Sequence, residues 1–538
     1  MKRRVSPYIV ALPAFLLVIL FKVIPVIYSL ILSLSKFDPK MGFGGSETVG
    51  FANYFDFFRS YYFLRLLRNT FVLTILPIVM TCVVSFIAAL CIVKLPYKWA
   101  RCLALSVLAI PAFVPVPLLC GIVKELCDSD SFIATMLLKA GIIGNNSDLL
   151  TESVLYPLIY SITETLRFMF YPIALGVLAA YNDESKALFK ILRVVGAYAL
   201  IRLAFFFVMD REITVSLYNP MVYEIADTIY SFTYRKGLLE FNYGYSAAVD
   251  VVQIVFQLVL NVFLVMGIKK LLPSDDTLFA MPENKNFRLS ALAGTLGVLL
   301  VCVGSALMVY CLVSGLIKSS VSLSEVLSDQ TVVKGLLNSF VYSIGSAVVF
   351  TLVSIFLAYP LASGKRAYAV GLFFVMISNG TTAEWLIYRA LGLIDSGFAV
   401  MLSGGISVAG AYIIHLFTRQ RTREVKRFRD FIVITAPAAV IILALNFILV
   451  WGSTNAITYL QTRDKFPISF VLRERFVLDN KTLLFTEDGL NGWAKALAAK
   501  YLTGIIGSLP PLIVGWALIW FNKKFFGVKK LTDKNSKA

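Results

Sequence analysis

Long apolar runs separated by short, mostly basic turns recur along the whole chain. A run of about 20 residues crosses roughly 30 Å of hydrocarbon as a helix. Such runs lie near residues 8–34, 69–93, 102–123, 154–181, 189–209 and 244–268, and again near 288–317, 338–362, 368–388, 395–418, 430–451 and 500–521. The pattern predicts an all-α polytopic membrane protein of about twelve transmembrane helices in two halves of six. Segment 368–388 is interrupted by Asn379 and Glu384, with Arg389 at its end. Stretch 51–68 (FANYFDFFRSYYFLRLLR) mixes aromatics and arginines at helical spacing and predicts an interfacial helix. The polar stretch Lys269–Arg288, with PSDD and MPENKN, has the composition of a linker. It divides the chain into 1–270, a linker at 271–287, and 288–538, the last carrying a long loop at 453–499.

Composition strengthens this picture. The 538 residues are 58% hydrophobic and only 15% charged, against about 25% charged in soluble domains. A formal charge of +18 would suggest nucleic acid in a soluble protein, but its placement points to topology. The termini and the turns at 94–101, 182–193, 269–288, 364–367 and 419–430 carry 27 Lys+Arg against 8 Asp+Glu, whereas the opposite side carries 20 against 21. That asymmetry puts both termini in the cytoplasm and leaves a lipid bilayer, not nucleic acid, as the partner. Met1, Lys2, Arg3 and Arg4 open like a leader peptide. The apolar run behind them is too long and has no small-residue cleavage site, so a retained first helix is expected. Six of the seven cysteines (Cys82, Cys91, Cys102, Cys120, Cys302, Cys311) sit in apolar runs at no ligand-like spacing, Cys127 is a lone thiol, and His415 has no partners for a metal site.

Particular segments resemble a known family. PYIVALPAFLLVILFKVIPVIYSLILSLSKFDPKMGF, VGFANYFDFF and LLRNTFVLTI are similar to the start of carbohydrate ABC-importer permeases. Leu217–Gln253, LYNPMVYEIADTIYSFTYRKGLLEFNYGYSAAVDVVQ, resembles the oligosaccharide or polysaccharide branch of the first permease of such a pair. In the second half LLNSFVYSIGSAVVFTLVSIFLAYPLAS, LIYRALGLIDSGFAVMLSGGIS and WGSTNAITYLQTRDKFPISFVLRE resemble its usual partner. The resemblance implies a type I importer fold with two permeases fused in one chain of a bacterial cell membrane. An external solute-binding lipoprotein would deliver the carbohydrate and cytoplasmic ABC ATPase subunits would drive alternating access.

The chain departs from that family where ATPases dock. The Glu-Ala-Ala…Gly loop expected in each half is missing: GVLAAY runs through NDESKALFKILRVVGAY, and IIHLFTRQ through RTREVKRFRDF, into the next span. Asp183, Lys186, Lys190, Arg423, Lys426 and Arg427 are what remains for coupling. Two readings therefore stay open at this point: a permease with shortened loops, or a permease-derived sensor or scaffold for a sugar-binding partner that no longer couples to ATP. An ion-coupled carrier is disfavoured, since no proton-relay chain is evident. No GxxxxGK[ST] motif and no catalytic constellation occur, so an enzyme and a cofactor are not expected.

Ionisable groups inside spans are costly unless paired or facing water. Glu164 and Arg167, three residues apart, are expected to pair with each other. Arg202 is expected to answer Asp250, which shares a helix face with Gln253. Gln253 and Arg167 match positions that are polar in the resembled family, while Leu166 replaces a Trp and Asp250 a Gly. With Glu384, Trp385, Asn446 and Trp451 they are candidates for a carbohydrate path, or alternatively hold the bundle together.

Overall fold

The computed structural model describes residues 6–520 apart from 96, 142, 144–147, 181–186, 208–210, 219, 272–290, 318–321, 363–365, 378–380, 422–426 and 479–488. The chain is an all-α, multi-pass membrane protein. Six described helices are long and apolar enough to span a bilayer: Pro7–Ser33, Tyr62–Val93, Tyr243–Leu264, Gln330–Ala362, Phe428–Gly452 and Ala499–Trp520. Three bent pairs add a broken span each: Leu155–Phe168 with Phe170–Ala180, Leu292–Val301 with Val303–Ile317, and Gly397–Gly405 with Ala409–Thr418.

The long helices are amphipathic in the inverted sense. On Tyr62–Val93 the buried face carries Thr70, Thr74, Thr81 and Ser85, while Phe71, Val79, Val83 and Ile87 are exposed. Gln330–Ala362 repeats this, with Ser339, Ser343, Ser346 and Ser354 inside and Leu337, Val341, Ile344 and Val348 outside. Water would penalise such an apolar exterior; lipid tails do not, and buried hydroxyls then serve as interhelical hydrogen-bond partners. Thr81 Oγ1 donates to Thr165 Oγ1 at 3.1 Å, and Ser85 Oγ to the Met169 carbonyl at 3.3 Å.

Three of the twelve expected spans match neither a single long helix nor a bent pair among the described residues. Segment 102–123 is split into Lys98–Leu108, Ile110–Phe113 and Val116–Cys127. Pro115 and Pro117 lack the N–H that would continue the helix and force Val114 into an extended backbone. Segment 189–209 is helical only as Ala187–Ala204, weighed down by Lys190, Arg193 and Arg202. Segment 368–388 is described as Arg366–Ile377 and Thr381–Ala390, with 378–380 between them outside the described residues. The expected interfacial helix at 51–68 also changes: Ala52–Arg59 forms a short helix, Ser60 is extended, and the rest joins the Tyr62–Val93 span.

One order of elements occurs twice. An N-terminal apolar helix (7–33; 291–317) precedes a short helix (52–59; 323–328) and a long helix (62–93; 330–362). A divided segment (98–127; 366–390) leads to a bent pair (155–180; 397–421), a helix (187–204; 428–452), a short helix (211–217; 468–476) and a long last helix (243–271; 489–520). The first helices are exchanged: Pro7–Val18 packs on Gln330–Ala362, and Ala291–Val301 on Tyr62–Val93. Small residues allow both contacts. Ala14 is buried against Phe350, Val353 and Leu357, and a Cβ on Gly297 would stand 2.4 Å from Cys91 Sγ. The expected linker at 271–287 lies, but for its first residue, outside the described residues.

Candidate functional site

Where the first helix meets Gln330–Ala362, the bundle holds a partly open cavity of about 430 Å³, within the ~300–1,000 Å³ range of small-molecule sites. Its walls follow from the inverted faces. Gln330–Ala362 contributes Ser339, Tyr342, Ser343 and Phe350, which recur at helical spacing on one side. The bent pair contributes Ser403, Gly404 and Ser407, and Phe428–Gly452 contributes Asn446. Gly404 and Gly405 make the bend possible, since a Cβ on Gly405 would meet Val349 at 2.8 Å. The bend frees the Gly404 carbonyl, and Asn446 Nδ2 donates to it at 3.1 Å while Asn446 Oδ1 accepts from Ser346 Oγ at 3.1 Å. One amide thereby ties three helices together at the cavity wall.

Lys22 and Tyr230 enter from the first repeat. The first helix carries a π-turn at Ile19–Val23, a local unwinding that is frequent at functional sites, and Lys22 lies within it. Its Nζ stands 3.3 Å from Glu384 Oε1, and the side chains keep 20% and 13% of their surface open. Two hydroxyls on the lining, Ser343 Oγ and Thr458 Oγ1, are buried without a hydrogen-bond partner among the described residues.

The segment Ser453–Pro467 roofs the cavity, held by Asp395. Asp395 adopts a φ of 60°, and its carboxylate accepts from Lys465 Nζ and Thr462 Oγ1 at 2.6 Å each and from the Gln461 and Thr462 amides at 2.9 Å each. Trp385 Nε1 donates to the Thr458 carbonyl at 3.0 Å, and Asn338 Nδ2 to the Asp464 carbonyl at 2.8 Å. The hydrogen bond from Lys465, then those from Thr462 and Gln461, hold the Asp395 carboxyl well below the usual carboxylate range. A depressed folded-state value stabilises the loop above the unfolded value of about 3.9 and loses that support only as pH falls through the lower one. Hydrogen exchange at Gln461 and Thr462 is therefore expected to show constant protection from pH 7 down to about pH 4. Asp395→Asn is expected to lower it at neutral pH, since the amide keeps one acceptor oxygen and loses the charge that holds Lys465.

Known proteins bear on the chain at low identity. No protein-family model matches it. Protein LplB of Bacillus subtilis (strain 168) is 24% identical over 293 residues, taking in 50% of this chain and 88% of LplB. Protein LplC of the same strain is 25% identical over 201 residues, 33% of this chain and 68% of LplC. Among solved structures, a bacterial alginate ABC transporter in complex with alginate pentasaccharide-bound periplasmic protein is 22% identical, with a TM-score of 0.38 over 42% of this chain and 84% of that one. A bacterial ABC transporter involved in the import of the acidic polysaccharide alginate, also 22% identical, gives 0.42 over 49% and 95%. Each match takes in half of this chain or less.

Of the residues singled out from sequence, Glu384 and Asn446 line the cavity. Trp385 braces its roof, and Trp451 is fully buried behind its wall with Nε1 on the Gly507 carbonyl. The remaining five lie elsewhere. Glu164 pairs with Arg202, not with Arg167, and Arg202 stacks over Phe168 at 4.7 Å. Arg167 Nη1 instead donates to the Ala112 and Val114 carbonyls at 2.6 and 2.7 Å, where the proline break has removed their helical partners. Asp250 is buried. Gln253 Nε2 donates to the Phe207 carbonyl at 3.4 Å, and Gln257 joins Ala204 and Phe207, closing the end of the Ala187–Ala204 helix. Asp183, Lys186, Arg423 and Lys426 lie outside the described residues; Lys190 is on the Ala187–Ala204 helix, and exposed Arg427 caps Phe428–Gly452. Sequence reasoning missed Lys22. The signal was there, in the form of a lone charge within an otherwise apolar span.

Proposed function

We infer that the chain is the transmembrane permease of an ATP-binding-cassette carbohydrate importer, and that residues 1–270 and 288–538 are two permease units in one chain. The observation that carries this reading is the hydroxyl- and tyrosine-lined cavity held by a bundle whose outer faces are apolar. Sugars are held by convergent hydroxyl, amide and charged groups beside aromatic side chains, and this lining supplies such a set. The resemblance to importer permeases in both repeats, the doubled element order and relatives about half its length support it.

In this reading the termini face the cytoplasm of a bacterial cell, and an external solute-binding lipoprotein delivers sugar under the Ser453–Pro467 roof. ATP hydrolysis belongs to partner subunits. Only residues 181–186 and 422–427 join the helices where a docking helix would be inserted. At ~1.5 Å per residue these stretches do not hold several turns, so the ATPases dock on the helix ends themselves. Disrupting the gene is expected to abolish uptake of one class of labelled oligosaccharide, with uptake restored by the intact chain; unchanged uptake of every class would overturn the reading. Affinity purification from native membranes is expected to retain an ATPase in stoichiometric amount.

A further inference from the structure

The cavity holds two charged side chains, and they cancel. Among the described residues, Lys22 and Glu384 are the only Lys, Arg, Asp or Glu on its lining, and they stand 3.3 Å apart. Behind the wall, the Glu212 carboxylate accepts from Ser453 Oγ and the Thr454 amide, so it is already engaged there and is not on the lining. Burying an anion takes a cation that is not already neutralised, and burying a cation takes a spare carboxylate. The cavity offers neither. It does offer the Lys22–Glu384 pair as a donor beside an acceptor, with Ser339, Ser403, Ser407 and Asn455 also on the lining, a set matched to adjacent hydroxyls on an uncharged ring.

We propose that this site selects neutral saccharides, and that the Lys22–Glu384 pair is the element that rejects both uronates and amino sugars. The proposal rests on the carbohydrate reading above and narrows its substrate class. A uronate entering the cavity must compete with Glu384 for Lys22, and a glucosamine unit must compete with Lys22 for Glu384. In each case the displaced partner is left buried and unpaired.

The test uses the full chain in lipid nanodiscs at pH 7. Saturation-transfer NMR is recorded against three pools of short oligosaccharides: neutral hexoses, uronates and glucosamines. Wild type is expected to give transfer to the neutral pool and at least about tenfold weaker binding of the other two. Glu384→Gln is expected to gain about tenfold for uronates, and Lys22→Gln about tenfold for glucosamines. The reversed pair, Lys22→Glu with Glu384→Lys, keeps the balance and is expected to keep the neutral preference, which separates selectivity from loss of fold. Wild type preferring uronates or glucosamines would overturn the proposal while leaving a carbohydrate permease. Transfer to no pool would instead remove the carbohydrate reading itself.

Discussion

Trp451→Ala is expected to be the most destabilising single substitution near the cavity, costing about 3–5 kcal/mol. The indole is fully buried, meets Phe340 edge-on at 4.7 Å between centroids and Phe447 at 5.5 Å. Its Nε1 donates to the Gly507 carbonyl at 2.7 Å. That carbonyl has a particular need. Pro511 stands four residues on within the same helix and has no N–H to return to it. In hydrocarbon no water replaces the missing donor, so Trp451 supplies it. Lipid tails are as apolar as a protein core, which reduces the transfer contribution and leaves lost packing and the orphaned carbonyl as the main costs. Trp451→Phe keeps the ring contacts and is expected to lose only the hydrogen bond, about 0.5–1.5 kcal/mol. Thermal unfolding in nanodiscs reads both. If Trp451→Ala melted like wild type yet abolished sugar binding, the indole would belong to the path and not to the wall.

The sequence showed the membrane class, and suggested a doubled plan, because both depend on local averages. Apolar length is additive along a run, and a repeated order of runs survives even where residues differ. Breaks were partly legible: Pro111, Pro115 and Pro117 stand within segment 102–123, yet a hydropathy average counts the run as continuous. Partnerships were not legible at all. Glu164 has Arg167 one turn away, but it pairs with Arg202 on another helix, because Arg167 is drawn to carbonyls that a proline has orphaned. Such choices depend on which helix faces approach each other, and a single chain read in order does not contain that information. The cavity is a further example. Five serines of its lining, Ser339, Ser343, Ser403, Ser407 and Ser453, come from three separate segments, and each taken alone is an ordinary polar residue in a membrane helix or loop. Glu384 and Asn446 stood out because their side chains are larger and costlier to bury; Lys22 was overlooked although it stands in the middle of the Pro7–Ser33 span, and its position in a π-turn was invisible.

Arg167→Met is expected to bring a loss of similar size through the same device operating in the other repeat. The guanidinium is 4% exposed and sits at the break between Ile110–Phe113 and Val116–Cys127. Pro115 cannot donate to the Pro111 carbonyl, and the turn in the chain carries the later amides away from Ala112 and Val114. Arg167 Nη1 reaches all three, at 3.5, 2.6 and 2.7 Å. A planar guanidinium with five fixed donors suits this task better than an ammonium. Methionine fills comparable space without a donor, so each charge-assisted bond lost is expected to count about 1.5–3 kcal/mol before relaxation. Arg167→Lys restores a charge and rotatable donors on a single nitrogen and is expected to fall between methionine and wild type in unfolding midpoint. A Cβ on Gly452 would come within 3.4 Å of Arg167 Nη2, so the same guanidinium abuts the second repeat just after Trp451. Combining Arg167→Met with Trp451→Phe is therefore expected to be non-additive, since both sites meet at the junction of the repeats. Strict additivity would mean that the two proline breaks are mended independently and that this junction is not a shared structural unit.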